Sequence, residues 1–297
     1  MAIILGDNQY GKAESRVVRI VRDTARHEIR DLNVTTALRG SFEPAYLVGD
    51  QSKVLPTDSQ KNTAFAFAKS KGIETIEGFG LELARHFVHD VDPVVGARIE
   101  IEEYAWERAV VDGEEHDHTW TRKGQEIRTA AVTVDATGEY VISGFKELTI
   151  LKSTGSEFAG FLKDEYTTLP ETHDRIMATA LDVKWRYDGV GHDYDRIYAD
   201  AKTLMVKEFA TLQSLALQQT LWRMGSAVLE TYPQIAEIRL KAPNKHHFDY
   251  DIDRFGVPNR GEVFVAADRP YGLIEATITR DDASDAGDAW RSSAGLA

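Results

Sequence analysis

The stretch Leu151 to Arg175, LKSTGSEFAGFLKDEYTTLPETHDR, joins a strand-like run to a polar loop carrying an aromatic (Phe158), a leucine (Leu169) and an arginine (Arg175). These residue types suit a flat, anionic, ring-shaped ligand, which needs an apolar face to lie on and a planar guanidinium fork to grip its edge. Read alone, the segment is equally an ordinary loop with a surface arginine. The histidines suggest a different chemistry. His116-Asp117-His118 gives H-x-H, and His246-His247-x-Asp249 adds a second group. Catalytic zinc takes three protein ligands and keeps one position open, and H-x-H alone is weak support for that. Gly78-Phe79-Gly80 falls within a helical stripe and lacks the strand-to-helix context of a dinucleotide loop. No G-x-S-x-G and no phosphate-binding P-loop occurs.

Three further blocks change the weight of the first: Y-G-K (Tyr10 to Lys12), V-L-P-T-D-S-Q-K-N-T (Val54 to Thr63) and A-P-N-K-H-H-F (Ala242 to Phe248). The four blocks in this order resemble the urate oxidase (uricase) family, specifically its bacterial members. The resemblance runs from about Gly6 to Ile278. The long block is highly specific; T-D-S-x-K-N-T and P-N-K-H are moderately specific singly and strong together, and Y-G-K alone carries nothing.

The resemblance implies an oxidation of urate by O2 and water to 5-hydroxyisourate and hydrogen peroxide, with no metal and no cofactor. It implies that Arg175 grips the urate edge bidentately and that Gln218, after the aliphatic Leu217, works opposite it; the neighbouring Gln219 is the alternative amide. A neutral amide donates and accepts on adjacent atoms, as the imide edge of a purine requires. Phe158 is then the stacking ring, with Phe161 expected in the core, and Leu169 and Ile274 complete the walls. Asn244 meets a polar atom above the ring, where O2 or water waits. Lys12, Thr57 and His246 form the implied acid–base group, since a threonine hydroxyl relays protons only with a base beside it and histidine titrates near neutrality. Asp58 orients substrate through its backbone N–H. Taken without the resemblance, Thr57 is a helix N-cap and Lys12 a solvated residue. His173 stands where many relatives carry an aromatic.

Two other readings stay open. A zinc-dependent purine or pterin hydrolase of the same fold would use His116 and His118, and the lack of cysteine ligands counts against it. A non-catalytic purine-binding protein would keep Arg175, Gln218 and Phe158 but would not need Lys12 and Thr57 together.

Composition narrows the class. The 297 residues are 42% hydrophobic and 28% charged, with 35 Lys and Arg against 48 Asp and Glu, a net charge of −13. That balance argues against nucleic acid as a partner. It also repels an anionic substrate, so a local cluster of Lys, Arg and N–H groups must overcome the bulk field. The absence of cysteine removes disulfides, thiolate nucleophiles, iron–sulfur clusters and cysteine-bound zinc. No apolar run reaches the roughly 18 residues of a membrane span. The N-terminus lacks a signal-peptide pattern, and the Ala294–Ala297 ending lacks the peroxisomal tripeptide of eukaryotic relatives. A cytoplasmic protein is expected, with no membrane contact.

The elements that must position these residues fall into two similar halves. Ser15 to Asp23 and His27 to Leu38 read as paired strands. Thr57 or Asp58 is expected to N-cap a helix that stops at Gly72, and Ile76, Phe79, Leu83, Ala84, Phe87 and Val88 stripe a second helix. Ala97 to Arg108 and Glu126 to Asp135 read as strands, with an Asp-Gly turn near position 112. After a break at 136–138 the order restarts: strands at Tyr140 to Leu151 and Ile176 to Tyr187, helices at Tyr194 to Leu212 and Ser214 to Tyr232, strands at Ile235 to Lys241 and Glu262 to Ile278. The expected class is α+β, two tandem ββααββ units at 1–137 and 138–280 with antiparallel sheets, followed by a mobile tail at 281–297 in which Trp290 alone docks. Antiparallel sheets with helices on one face leave edges that association can pair. The resemblance implies the tunnelling fold, in which sheets join across subunits into a barrel, and a homotetramer with sites shared between subunits.

Overall fold

The computed structural model describes residues 2–292. Strands β1 (Tyr10–Val21) and β2 (Glu28–Gly40) pair antiparallel, and a short helix α1 (Glu43–Val48) leads to α2 (Thr57–Ser70) and α3 (Ile76–Asp90). Strands β3 (Val94–Val111) and β4 (Glu114–Asp135) follow. The same order then recurs: β5 (Gly138–Lys152), β6 (Met177–Tyr187), α4 (Tyr194–Thr211), α5 (Leu217–Thr231), β7 (Ile235–Asp249) and β8 (Phe264–Thr279). Among the described residues, eight strands form one sheet in chain order, every neighbour antiparallel. β1 and β8 are its two edges.

Alternation along the strands sends one set of side chains to the helices. Val34, Ile101, Ala130, Ile99 and Val132 line this face in the first half, and Val183, Trp185, Ile238 and Leu240 in the second; all are buried. The α3 stripe Ile76, Phe79, Leu83, Ala84 and Phe87 packs onto β3 and β4, as its 3.6-residue spacing requires, while α5 lays Leu221, Met224 and Val228 on β7 and β8. Gly80 is the reason for the G-F-G run. A Cβ there would lie 2.9 Å from Val132 Cγ2, so the glycine lets α3 approach the sheet.

The strands run longer than their sequence patterns. β3 and β4 continue past the helices as a hairpin that turns at Asp112 and Gly113, with φ of 54° and 88°. This segment alternates poorly because neither of its faces is packed, so periodicity could not mark it. The helix α2 begins differently from expectation. Pro56 occupies the N-cap position with φ −52°, and Thr57 is the first helical residue, so neither Thr57 nor Asp58 caps. The stop holds: Gly72 has φ 89° and donates its N–H to the Phe67 carbonyl at 3.2 Å.

The C-terminal stretch, whose composition reads as mobile, lies against the face opposite the helices as far as Ser292. Arg186 donates to the Ser284 carbonyl at 2.8 Å, Arg98 to the Ala289 carbonyl at 2.8 Å, and Trp290 Nε1 to Glu237 at 3.1 Å. Arg39 also pairs with Asp288. These cations project from β2, β3 and β6, and only the assembled sheet aligns them to hold a polar strap. Residues 293–297 lie outside the described residues.

Candidate active site

The second half of the chain builds a compact polar corner. Ser156 and Ser214 form a parallel bridge in which Glu157 N donates to the Ser214 carbonyl at 2.7 Å and Ser214 N to the Gly155 carbonyl at 2.9 Å. This ties the loop after β5 to the entry of α5. Phe158 and Thr172 exchange backbone bonds of 2.8 and 2.9 Å, and Arg175 N donates to the Ser156 carbonyl at 2.9 Å. The loop is therefore zippered at its base, and the zipper brings Arg175 Cζ to 5.0 Å from the Phe158 ring centroid. Arg175 is half-buried, makes no ion pair among the described residues, and its Nε is buried without a partner. Burial alone pushes its guanidinium pKa down from the ordinary value. A desolvated cation with an unused donor is costly unless something anionic completes it.

The entry of α5 separates the two glutamines. Gln219 Oε1 accepts the Leu215 N–H at 2.9 Å, closing the first turn in place of an N-cap side chain, whereas Gln218 is exposed with no partner among the described residues. Leu217 is buried in the core, which leaves its main chain as the part a ligand could meet. Leu169 stands half-exposed on the loop. Phe161 is not core, contrary to the sequence expectation: it is half-buried, stacks on Phe158 with centroids 4.6 Å apart and planes 16° apart, and takes Lys163 over its ring. The loop carries it outside the sheet–helix core, where it stacks on the other loop aromatic.

Strands β6 to β8 supply the remaining side chains. Asn244 pairs with Thr179 on β6 and Gly272 on β8, on the helix-facing side, and Ile274 sits opposite Ala242. A register shift between Asn244 and His246 redirects the chain, as bulges beside active sites do. His246 is half-buried, and its pKa is lowered from 6.5, first by burial, then by the charges of Arg175 and His247. Burial and the nearby Arg175 guanidinium thus both disfavour its protonated form.

Lys12, Thr57 and Asp58 lie at the other edge. The α2 entry is fastened to β1 and β2 through Gln60, which is fully buried. Thr36 Oγ1 donates to Gln60 Oε1 at 2.7 Å and accepts the Lys12 N–H at 3.2 Å, and Tyr10 OH donates to the Leu55 carbonyl at 3.0 Å. Gly11 explains the middle of Y-G-K: a Cβ there would fall 1.7 Å from the Thr36 carbonyl oxygen. Thr57 and Lys12 are half-buried, and their side chains have no hydrogen bond among the described residues. Asp58 is exposed and holds Lys61 at 2.6 Å and Asn62 at 2.9 Å; those bonds lower its pKa first, and Lys12 adds to the effect. The carboxylate is engaged along its own helix, away from its N–H.

β1 and β8 are the opposite edges of the sheet, about 33 Å apart along it at the usual strand spacing. One chain therefore brings Phe158, Arg175, Gln218, Asn244, His246 and Ile274 to one region and Lys12, Thr57 and Asp58 to another. His116 and His118 belong to neither. Their rings meet at 4.4 Å on the distal β3–β4 hairpin, and among the described residues no group of His, Asp and Glu could hold a metal ion.

The uricase family model matches residues 8–133 and 141–275 of this chain. The chain belongs to the uricase family. It is 50% identical over 294 residues to a uricase of Arthrobacter globiformis, covering 99% of this chain and 96% of the relative. A Dictyostelium discoideum uricase is 36% identical over 278 residues, covering 92% of this chain and 96% of that one. The crystal structure of the Arthrobacter uricase superposes with a TM-score of 0.92 at 50% identity, over 96% of this chain and 98% of that one. A Bacillus fastidious uricase gives 0.79 at 26% identity, over 92% and 94%. The fold is the antiparallel α+β tunnelling fold of these structures.

Sequence reading missed the residues that hold the corner rather than line it. Ser156 and Ser214 are fully buried, and Ser214 Oγ meets Thr220 Oγ1 at 2.7 Å. Gln60 does the equivalent work on the far edge. A buried Gln inside the apolar stripe of α2 was the one mark that could have been noticed, since such a residue needs partners. Nothing in the spacing marks the serines.

Proposed function

We propose that the chain is a urate oxidase whose binding half is the corner around Arg175 and whose acid–base half is the Lys12–Thr57 edge of another copy. The observation that carries this reading is the Arg175 guanidinium: desolvated, without an ion-pair partner among the described residues, and set against the Phe158 ring. Urate in its anionic form fits each requirement. Its edge takes the fork and the Gln218 amide, its ring lies against Phe158, and Leu169, Ile274 and the main chain at Leu217 bound it.

The reaction is urate, O2 and water giving 5-hydroxyisourate and hydrogen peroxide. Deprotonated urate is electron-rich enough to reduce O2 itself, so the protein's work is to remove protons, hold the ring and exclude bulk water. Asn244 would place O2 or water over the ring, Thr57 would pass protons to Lys12, and His246, held neutral, would accept one near the same face. Asp58, its carboxylate engaged elsewhere, would offer its N–H. Metal and cofactor have no part in this scheme.

The scheme requires association. Two units, 1–137 and 138–280, each present an open edge, and pairing β1 of one copy with β8 of another closes both. A homotetramer with four shared sites follows from closing the barrel and stacking it. Among the described residues no helix is long and apolar enough to cross a membrane; a cytoplasmic location is part of the proposal and agrees with a cysteine-free chain.

The test is an oxygen-electrode assay with urate. Oxygen uptake, loss of urate absorbance and peroxide formation in step are expected, and they should survive exhaustive chelation. Urate binding without oxygen uptake would leave a purine-binding protein instead. Activity lost to chelator and restored by zinc would point back to His116 and His118.

A further inference from the structure

Asp174 and Arg175 are neighbours of opposite charge, yet they do not pair. The Asp174 carboxylate is turned back into the loop base, where it accepts from Thr154 Oγ1 at 2.9 Å and from the Gly155 N–H at 3.0 Å. Gly155 presents that N–H with φ 74°, a left-handed conformation suited to glycine. The main-chain carbonyl of Asp174 accepts from Thr172 Oγ1 at 2.7 Å. No Lys or Arg pairs with this carboxylate among the described residues, so its charge serves neutral donors only. The next residue is Arg175, whose N–H is fixed on Ser156, and two residues on from Ser156 is Phe158.

We propose that Asp174 is a positioning residue for substrate: its carboxylate clasps the base of the 153–176 loop and thereby sets Arg175 and Phe158 for the ring. The inference rests on the reading that these two residues hold urate. Two physical effects run through the same carboxylate. It cross-links the two ends of a long loop, and charge-assisted bonds to N–H and O–H are stronger than neutral ones. It also keeps the acid next to Arg175 in sequence from acting as a rival for the guanidinium. A carboxylate released from Thr154 and Gly155 could swing onto Arg175 and compete with the anionic substrate. Loss of the clasp should therefore weaken capture of urate while the chemical step, whose Lys12–Thr57 relay lies on the other edge and whose Asn244 and His246 stand on β7 outside the clasped loop, proceeds once the ring is bound.

The experiment measures steady-state kinetics of the full assembled enzyme, urate binding without oxygen by equilibrium dialysis, and thermal melting. Asp174→Ala should raise the urate KM and dissociation constant by about tenfold or more, with kcat changed less than about threefold. Asp174→Asn, which keeps an acceptor oxygen for both donors, should restore most of the affinity, and Thr154→Val should show a smaller loss in the same direction. A merely structural role would lower melting temperature and kcat together and leave KM in place; that result overturns the proposal, as does unchanged affinity in Asp174→Ala. If Asp174→Ala fails to fold, unchanged affinity in Thr154→Val serves as the refutation. Arg175→Lys is run in parallel. If it loses affinity while Asp174→Ala does not, the positioning role alone falls; if Arg175→Lys also keeps its affinity, the ring-site reading falls with it.

Discussion

The two edges of the sheet are prepared in opposite ways. At the β8 edge the polar groups are locked: Arg175 and Phe158 are zippered to α5, Gln219 is consumed as a helix-entry acceptor, and burial has already been imposed on Arg175 and His246. At the β1 edge the scaffold is fastened through Gln60, but Thr57 and Lys12 keep free side chains among the described residues. A desolvated, ordered corner is suited to grip, because its entropy and desolvation costs are met by the fold. A pair of uncommitted proton-bearing groups is suited to chemistry, because a relay needs partners that arrive with substrate. On the proposed reading, the corner around Arg175 leads in affinity and the Lys12–Thr57 pair leads in turnover.

The comparison breaks most visibly in turnover. Thr57→Ala and Lys12→Met should each lower kcat by roughly 10²–10⁴, the range for lost acid–base groups, with urate affinity changed far less. If they act as a unit, the double variant should be little worse than either single one in the same assay. Losses that multiply would divide the pair.

Grip is next. Arg175→Lys replaces a planar fork with a point charge and should weaken anaerobic urate binding by roughly ten- to a hundredfold, the worth of one to two kcal/mol-scale charged hydrogen bonds; Gln218→Ala should cost less. A lysine variant that loses turnover but binds normally would reverse the assignment of the edges.

Whether the edges meet across copies is read by mixing. Thr57→Ala and Arg175→Gln, each nearly inactive, should regain activity when co-folded, approaching about a quarter of the wild-type sites if subunits assort at random. Well-assembled heteromers with no recovery would put both halves of a site in one chain.

The smallest effect is on pH. The folded pKa of His246 is depressed below 6.5, so its contribution to stability is present above that value and is lost as pH falls through the folded pKa. His246→Asn should therefore flatten the loss of stability between pH 6.5 and the acid transition, followed by melting temperature. Arg175→Gln removes one of the charges that lower this pKa, and the acid limb of any residual activity should move to higher pH. A limb that stays put would show that Arg175 is not felt at His246.

Much of this was legible in residues. The α3 stripe, the Asp-Gly turn and the stop at Gly72 follow from local rules that tertiary contacts did not override. The candidate site residues stand out only in combination, because an arginine, a glutamine or a lysine looks the same solvated or at work. The choice of Gln218 over Gln219 is instructive: sequence offered both, and the hydrogen bond from Leu215 occupies one of them. Phe161 and the α2 cap were misplaced for related reasons. A loop can hold an aromatic outside the core, and a proline can take the cap position before a threonine.

By itself the sequence determined the α+β class, the repeated element order and the family pattern, and it named the candidate reactive groups, since periodicity, turn chemistry and side-chain type are local properties. The tertiary structure alone decided which groups are desolvated, which are spent on the scaffold, and that the two sets stand at opposite edges of one sheet. Those are properties of distance and burial, and pairs as far apart in sequence as Gln60 and Thr36, Ser156 and Ser214, or Arg98 and Ala289 acquire them only when the sheet brings them together.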